Sequence, residues 1–118
     1  MQEFSIQAYL NDTAILKQTT EQIQKEFSFF DTTILFDNSN NYTFPYLCAQ
    51  ILPQVKKLIL ADNQKLYAFL YRIDINEAQI KKESNSNTDK PFEEIISQLI
   101  IKRCLQKVVL RKLFSSND

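Results

Sequence analysis

The chain contains no histidine, no glycine and no tryptophan, and only two cysteines. Each absence removes a class of chemistry. Without His, the usual general base and the commonest metal ligand are missing. Cys48 and Cys104 are too few and too far apart to complete an ordinary zinc site or to frame a small disulfide scaffold. Both lie in apolar surroundings on predicted helices, where a free thiol behaves as a small hydrophobe. Without Gly there is no glycine-rich phosphate loop and no dinucleotide fingerprint. Helix ends must then be closed by Asn, Asp or 3₁₀ turns instead of the common Gly cap. Purely apolar runs extend only a few residues, far short of a membrane span. Met1 leads into Gln2 and Glu3, not into a basic then apolar signal, so the expected compartment is the cytoplasm. The expectation is no cofactor, no metal and no membrane.

What is present is ordinary globular material: 118 residues, 44% hydrophobic and 24% charged. That length supports a real core without staples. Formal charge is zero but unevenly spread. Residues 1–41 carry two Lys against six acids, and residues 90–118 carry six bases against three acids. An acidic front and a basic end can attract each other inside one fold.

The run from Phe92 to Phe114 has no Gly and no internal Pro and is rich in helix formers. At about 100° per residue its apolar positions do not make one straight stripe. Phe92, Ile95, Ile96, Leu99 and Ile100 share one face; Ile101, Cys104, Leu105 and Val108 lie nearly opposite; Leu110, Leu113 and Phe114 return to the first side. A surface helix needs only one apolar face, so this one must be covered on two sides over its middle turns. Either the rest of the chain wraps it or a second copy covers what remains. It is expected to be the central helix.

Ahead of it, Phe4, Ile6, Ala8 and Leu10 alternate as in a strand. From Thr13 the period becomes helical, with Leu16, Thr20, Ile23, Phe27 and Phe30 on one face and Asn11, Asp12 and Thr13 as cap candidates. Thr32–Phe36 again reads as extended, either pairing with residues 4–10 or crossing irregularly; the irregular crossing is preferred. Pro45 sits in the first turn of the next helix, and Pro53 should kink it or split it. Asp62 caps a helix with the stripe Leu66, Phe69, Leu70 and Ile73. Asp74 and Glu77 form a D-x-x-E capping box opening a short helix through Ile80; as a cap, Asp74 would be worth about 1 kcal/mol. Residues 84–89 read as a flexible connector and 115–118 as a frayed tail of a single helical domain over 1–118.

The segments LYAFLYRIDINEAQI (66–80) and LIIKRCLQKVVLRK (99–112) resemble a set of short, uncharacterised bacterial helical proteins. In these, an LYRID-like stretch precedes a basic helix reading roughly L-I-x-x-R-x-L-Q-K-V. The resemblance covers about half of the chain. It implies a helical fold in which the two segments form one structural unit, and it implies no catalytic residue.

Six residues stand out as candidates for interaction. Arg103, Lys107 and Arg111 make a row of like charge at i, i+4, i+8, each pair costing an isolated helix roughly 0.2–0.5 kcal/mol unless offset. The preferred reading is a solvated face helped by acids such as Glu21 and Glu26 opposite. The sharper reading is an external anion, nucleic-acid phosphate or an acidic protein; Lys102 and Lys112 point elsewhere, and no aromatics interleave as in single-strand binders. Arg72 and Asp74 flank a turn. Either they anchor a ligand carboxylate or phosphate, or, as preferred, Asp74 caps and Arg72 bonds the last carbonyls or Glu93 or Glu94. Tyr67 and Tyr71 lie one turn apart beside an apolar stripe, as Tyr42 and Tyr46 do, and suit either a core rim or an interface. Glu93 and Glu94 adjoin and so diverge, which is no acid–base pair, and no Ser or Cys has a base at recognisable spacing.

The sequence therefore predicts an all-α fold of about five helices packed around the C-terminal one, with room for a minor extended pair near the N-terminus. The preferred function is a non-catalytic protein–protein interaction module whose partner includes a second copy of itself. The alternative is a nucleic-acid-associated protein using the basic row.

Overall fold

Residues 92–115 form one uninterrupted 24-residue helix, as a run free of Gly and internal Pro should. It belongs to a computed structural model that describes residues 6–37 and 42–115. Among these residues the elements are a 3₁₀ turn at Gln7–Tyr9 and five helices: α1 (Thr13–Ser28), α2 (Phe44–Ala61), α3 (Asn63–Arg72), α4 (Glu77–Ser86) and α5 (Phe92–Ser115). No strand occurs among the described residues, and the fold is all-α.

Helix α5 is buried on both of its apolar flanks. Ile95, Ile96, Leu99 and Ile100 are in the core, and so are Ile101, Cys104, Leu105 and Val108. The chain supplies the cover itself: α1 and α2 pack against α5 over comparable extents and α4 over a smaller one. Each fully buried Leu or Ile contributes roughly 1.5–3 kcal/mol, so this seam dominates the stability. Nothing on the middle turns is left for a sister chain. The exposed apolar side chains of α5 are at its ends, Phe92 in the first turn and Leu113 and Phe114 past the last covered one.

Each surrounding helix starts where a short polar side chain can bond a free backbone N–H. Asp12 accepts from Ile15 N at 3.1 Å, Thr43 from Tyr46 N at 3.2 Å and Asp62 from Gln64 N at 2.9 Å. The α1 face runs through Leu16, Thr20, Ile23 and Phe27, all buried. The Phe27 ring lies 4.5 Å from that of Phe69, which fixes α1 beside α3. Pro53 does not split α2. Its ring and the Ala49 carbonyl it deprives of a partner lie on an exposed side of the helix, where water can take up the lost bond.

The lack of glycine shows where helices end. Among the described residues only Asp31 and Asp74 have positive φ, 56° and 67°. Each stands where Gly would close a helix, and each is followed by a long-reaching bond: Thr32 N to Phe27 O at 3.2 Å, and Ile75 N to Leu70 O at 2.9 Å. Asp tolerates this left-handed geometry better than most side chains.

Four local expectations are corrected. Asp74 and Glu77 do not form the capping box. Asn76 accepts from Gln79 N at 2.9 Å while the Gln79 side chain accepts from Asn76 N at 2.8 Å, two residues further on, because Asp74 is taken up in closing α3. Helix α4 runs to Ser86 instead of stopping at Ile80, so residues 84–86 are helical and not connector; the Asn87 amide bonds back to the Glu83 carbonyl at 2.9 Å. Residues 6–10 hold a 3₁₀ turn and not a strand, residues 4–5 lying outside the described residues. Residues 32–36 cross without pairing, as preferred. Ile34 is buried there, and its carbonyl accepts from Gln24 Nε2 at 2.9 Å. Of the frayed tail placed at 115–118, Ser115 is instead the last residue of α5, and 116–118 lie outside the described residues.

Asn76→Ala should lower stability in urea unfolding by about 1 kcal/mol, the worth of a side-chain cap, whereas Glu77→Ala should change it by less than about half of that.

Candidate functional site

The basic row on α5 is bonded within the chain. Lys107 Nζ donates to Glu26 Oε2 at 2.6 Å, and Gln22 Nε2 donates to the same oxygen at 3.1 Å. Arg111 Nη1 donates to Gln22 Oε1 at 3.0 Å. Gln22 and Glu26 sit one turn apart on α1, so two residues of the row meet a matched pair across the α1–α5 seam. Glu26 is 4% exposed. A carboxylate that deep needs a charged partner and hydrogen bonds, and it has both. Glu21, the other acid expected opposite the row, stays exposed.

Arg103 is held differently. Its Nε donates to the Ile73 carbonyl at 2.8 Å, Nη2 to Asp74 Oδ2 at 3.1 Å, and Nη1 to Gln106 Oε1 at 2.6 Å. Asp74 thus both ends α3 and fixes the arginine of α5. This contact joins the LYRID segment to the basic helix. The Asp74 carboxylate is largely exposed, so the ion pair itself is worth little beyond its geometry.

Arg72 neither bonds the last α3 carbonyls nor pairs with Glu93 or Glu94. Its guanidinium carbon lies 3.6 Å above the ring of Phe29, a cation–π stack between α3 and the end of α1. A planar guanidinium prefers that ring once the helix-closing bonds are made by the backbone.

The two tyrosine pairs separate. Tyr42 donates to the Asp37 carbonyl at 2.8 Å and Tyr46 accepts from Asp37 N at 3.0 Å, so this pair latches the chain ahead of α2. The hydroxyls of Tyr67 and Tyr71 have no hydrogen-bond partner among the described residues, and the two side chains stand 40% and 81% exposed. With Gln64, Ala68 and Ile75 they line an apolar trough of about 610 Å³ between α3 and the start of α4, closed at one edge by Asn76 and Glu77. Ala68 adds only a methyl group to that lining. Almost all of the trough's lining is apolar. Its chemistry is that of a contact surface, with ring faces for burial and hydroxyls able to stay wet.

Nucleophilic chemistry finds little purchase elsewhere. Burial, and secondarily the Glu94 carboxylate, pushes the Cys48 thiol up to about 12. Burial, and secondarily Glu26, does the same for Cys104. Neither offers a thiolate near neutral pH. Among the described residues no group of three or more His, Cys, Asp or Glu is placed to hold a metal. No described helix is long and apolar enough to cross a membrane.

Of the six sequence candidates, the structure brings Arg103 to Asp74, stacks Arg72 on Phe29, ties Lys107 and Arg111 to α1, and leaves Tyr67 and Tyr71 together on a trough. Sequence reasoning missed Gln22, Phe29, Ala68 and Ile75. The first had a signal: Gln22 and Glu26 lie at i, i+4 beside the apolar stripe of α1. The others depend on where α3 meets its neighbours.

Lys107→Met should cost about 2–3 kcal/mol in urea unfolding, below the roughly 3–5 of a fully buried pair because Lys107 retains some contact with water. Adding Glu26→Met should recover most of that loss, since no charge is then stranded. Comparison with known proteins finds no family model, no curated protein and no solved structure that matches this chain.

Proposed function

We propose that this protein is a non-catalytic helical interaction module that self-associates through the outer face of α3. The observation that carries the reading is the exposed Tyr67–Tyr71 pair flanking Ala68 over the apolar trough. Gln64, Tyr67, Ala68 and Tyr71 fall at spacings of three, one and three, the seam spacing of packed helices. Core packing of α3 uses a separate stripe, Leu66, Phe69 and Leu70. The outer seam therefore has no folding role that would explain its apolar character. Tyr71 is a knob, and the trough beside Ala68 is a hole on the same surface. A two-fold axis places each knob in the partner's hole, which is the self-complementarity that an isologous dimer requires. Tyrosines of this kind are common anchors of interfaces.

The seam on α5 does not support association, because α1 and α2 already cover it. The nucleic-acid reading rests on Arg103, Lys107 and Arg111, which are drawn into bonds with Asp74, Glu26 and Gln22 and so do not form a free basic row; self-association is preferred. Two thiols outside any disulfide fit a reducing cytoplasm.

Light scattering at increasing protein concentration should show the mass rising from 13.9 kDa toward twice that value. Ala68→Arg, which fills the hole and charges it, should hold the mass at the lower value without lowering the thermal midpoint. A wild-type mass that stays at that of one chain throughout would remove the proposal.

A further inference from the structure

A second concave site, lined by α4, α5 and the start of the described chain, differs from the trough in being rich in polar groups. It measures about 360 Å³. Four of its side chains have hydrogen-bond donors left over. Arg103 offers five N–H groups, and its bonds to Ile73, Asp74 and Gln106 use one on each nitrogen. One N–H therefore remains on each terminal nitrogen. Lys102 has no hydrogen-bonding or ionic partner among the described residues. Gln79 spends its oxygen on Asn76 N, and Gln106 spends its own on Arg103, so each keeps an unused amide NH₂. The only carboxylate in the lining is Glu83, one oxygen of which takes the Asn87 amide at 3.3 Å. Ile6, Ile75 and Leu99 form apolar walls.

We infer that this pocket binds a small organic monocarboxylate, its carboxylate held by Lys102 and Arg103 and its apolar body against Ile75 and Leu99. These donors otherwise face water, and a carboxylate offers two oxygens to the two N–H groups left on the terminal nitrogens of the arginine. Charge sets the number of carboxylates. With Asp74 beside Arg103 and both Glu83 and Lys102 in the lining, the fixed charges of the site already balance, so one carboxylate is the most it takes and a second would meet Glu83 with no cation to spare. The apolar walls select against a bare inorganic anion. Arg103 is already oriented by its three internal bonds, so binding costs it little side-chain freedom.

The test is a nitrogen–proton shift titration of the full chain with 3-methylbutanoate, with 3-methylbutan-1-ol and inorganic phosphate as the other arms. Saturable shifts with the carboxylate, centred on the Gln79 and Gln106 side-chain amides and the Arg103 guanidinium, are the expected result. The alcohol should produce none, and phosphate should bind more weakly. Lys102→Met, which keeps the stem and has no internal bond to lose, should weaken the carboxylate by about tenfold, the worth of one charge-assisted hydrogen bond. Its thermal midpoint should not move. The inference is overturned by the absence of saturable shifts, by phosphate binding at least as tightly as the carboxylate, or by unchanged affinity in Lys102→Met.

Discussion

A helix that is apolar on opposite flanks at successive levels cannot rest on a surface, and this requirement organises the protein. Covering α5 on both sides takes two long helices, and α1 and α2 are the two longest after it. The shorter α3 and α4 then fill what remains, α4 against α5 and α3 against the end of α1 through Phe27, Phe30 and Phe69. Because the cover comes from within one chain, the surfaces left for partners lie on the outer helices.

Two further constraints act on that frame. The first is that every sharp helix end must be made without glycine. Asp31 and Asp74 accept the left-handed backbone, and Asp74 gains a second use because its carboxylate faces the Arg103 guanidinium. The second is a polar relay from Arg111 through Gln22 to Glu26 and Lys107, lying across an otherwise apolar seam. A one-residue slide of α1 along α5 would strand the Glu26 charge at a cost of several kcal/mol. Hydrophobic burial supplies the bulk of the stability here, and the relay limits which register can realise it.

Much of this was legible in the residues. Periodicity placed α1, α3 and α5, the caps Asp12 and Asp62 were readable, and the double flank of α5 announced its central position. Cap and end chemistry at 72–80 was misread because D-x-x-E and N-x-x-Q overlap there by two residues. The choice between them depends on Asp74 adopting positive φ, a backbone fact that side-chain spacing does not encode. Helix α4 was cut short since SNS has low helical propensity; packing on α5 and the Asn87–Glu83 bonds override it. The candidate surfaces were half legible. Tyr67 and Tyr71 were visible as a pair, but the trough beneath them needs Ile75 returning from the α3–α4 turn, a contact between elements. Likewise the basic row looked like a free surface until Gln22 and Glu26 came to lie opposite it.

That helix α5 is sealed by its own chain has a direct test in native-state hydrogen exchange. The backbone amides of Ile101, Leu105 and Val108 should exchange only through global unfolding, with protection independent of protein concentration. Exchange of these amides at rates typical of α4, or protection that grows as the protein is concentrated, would show that α5 is open in the single chain and covered by another copy.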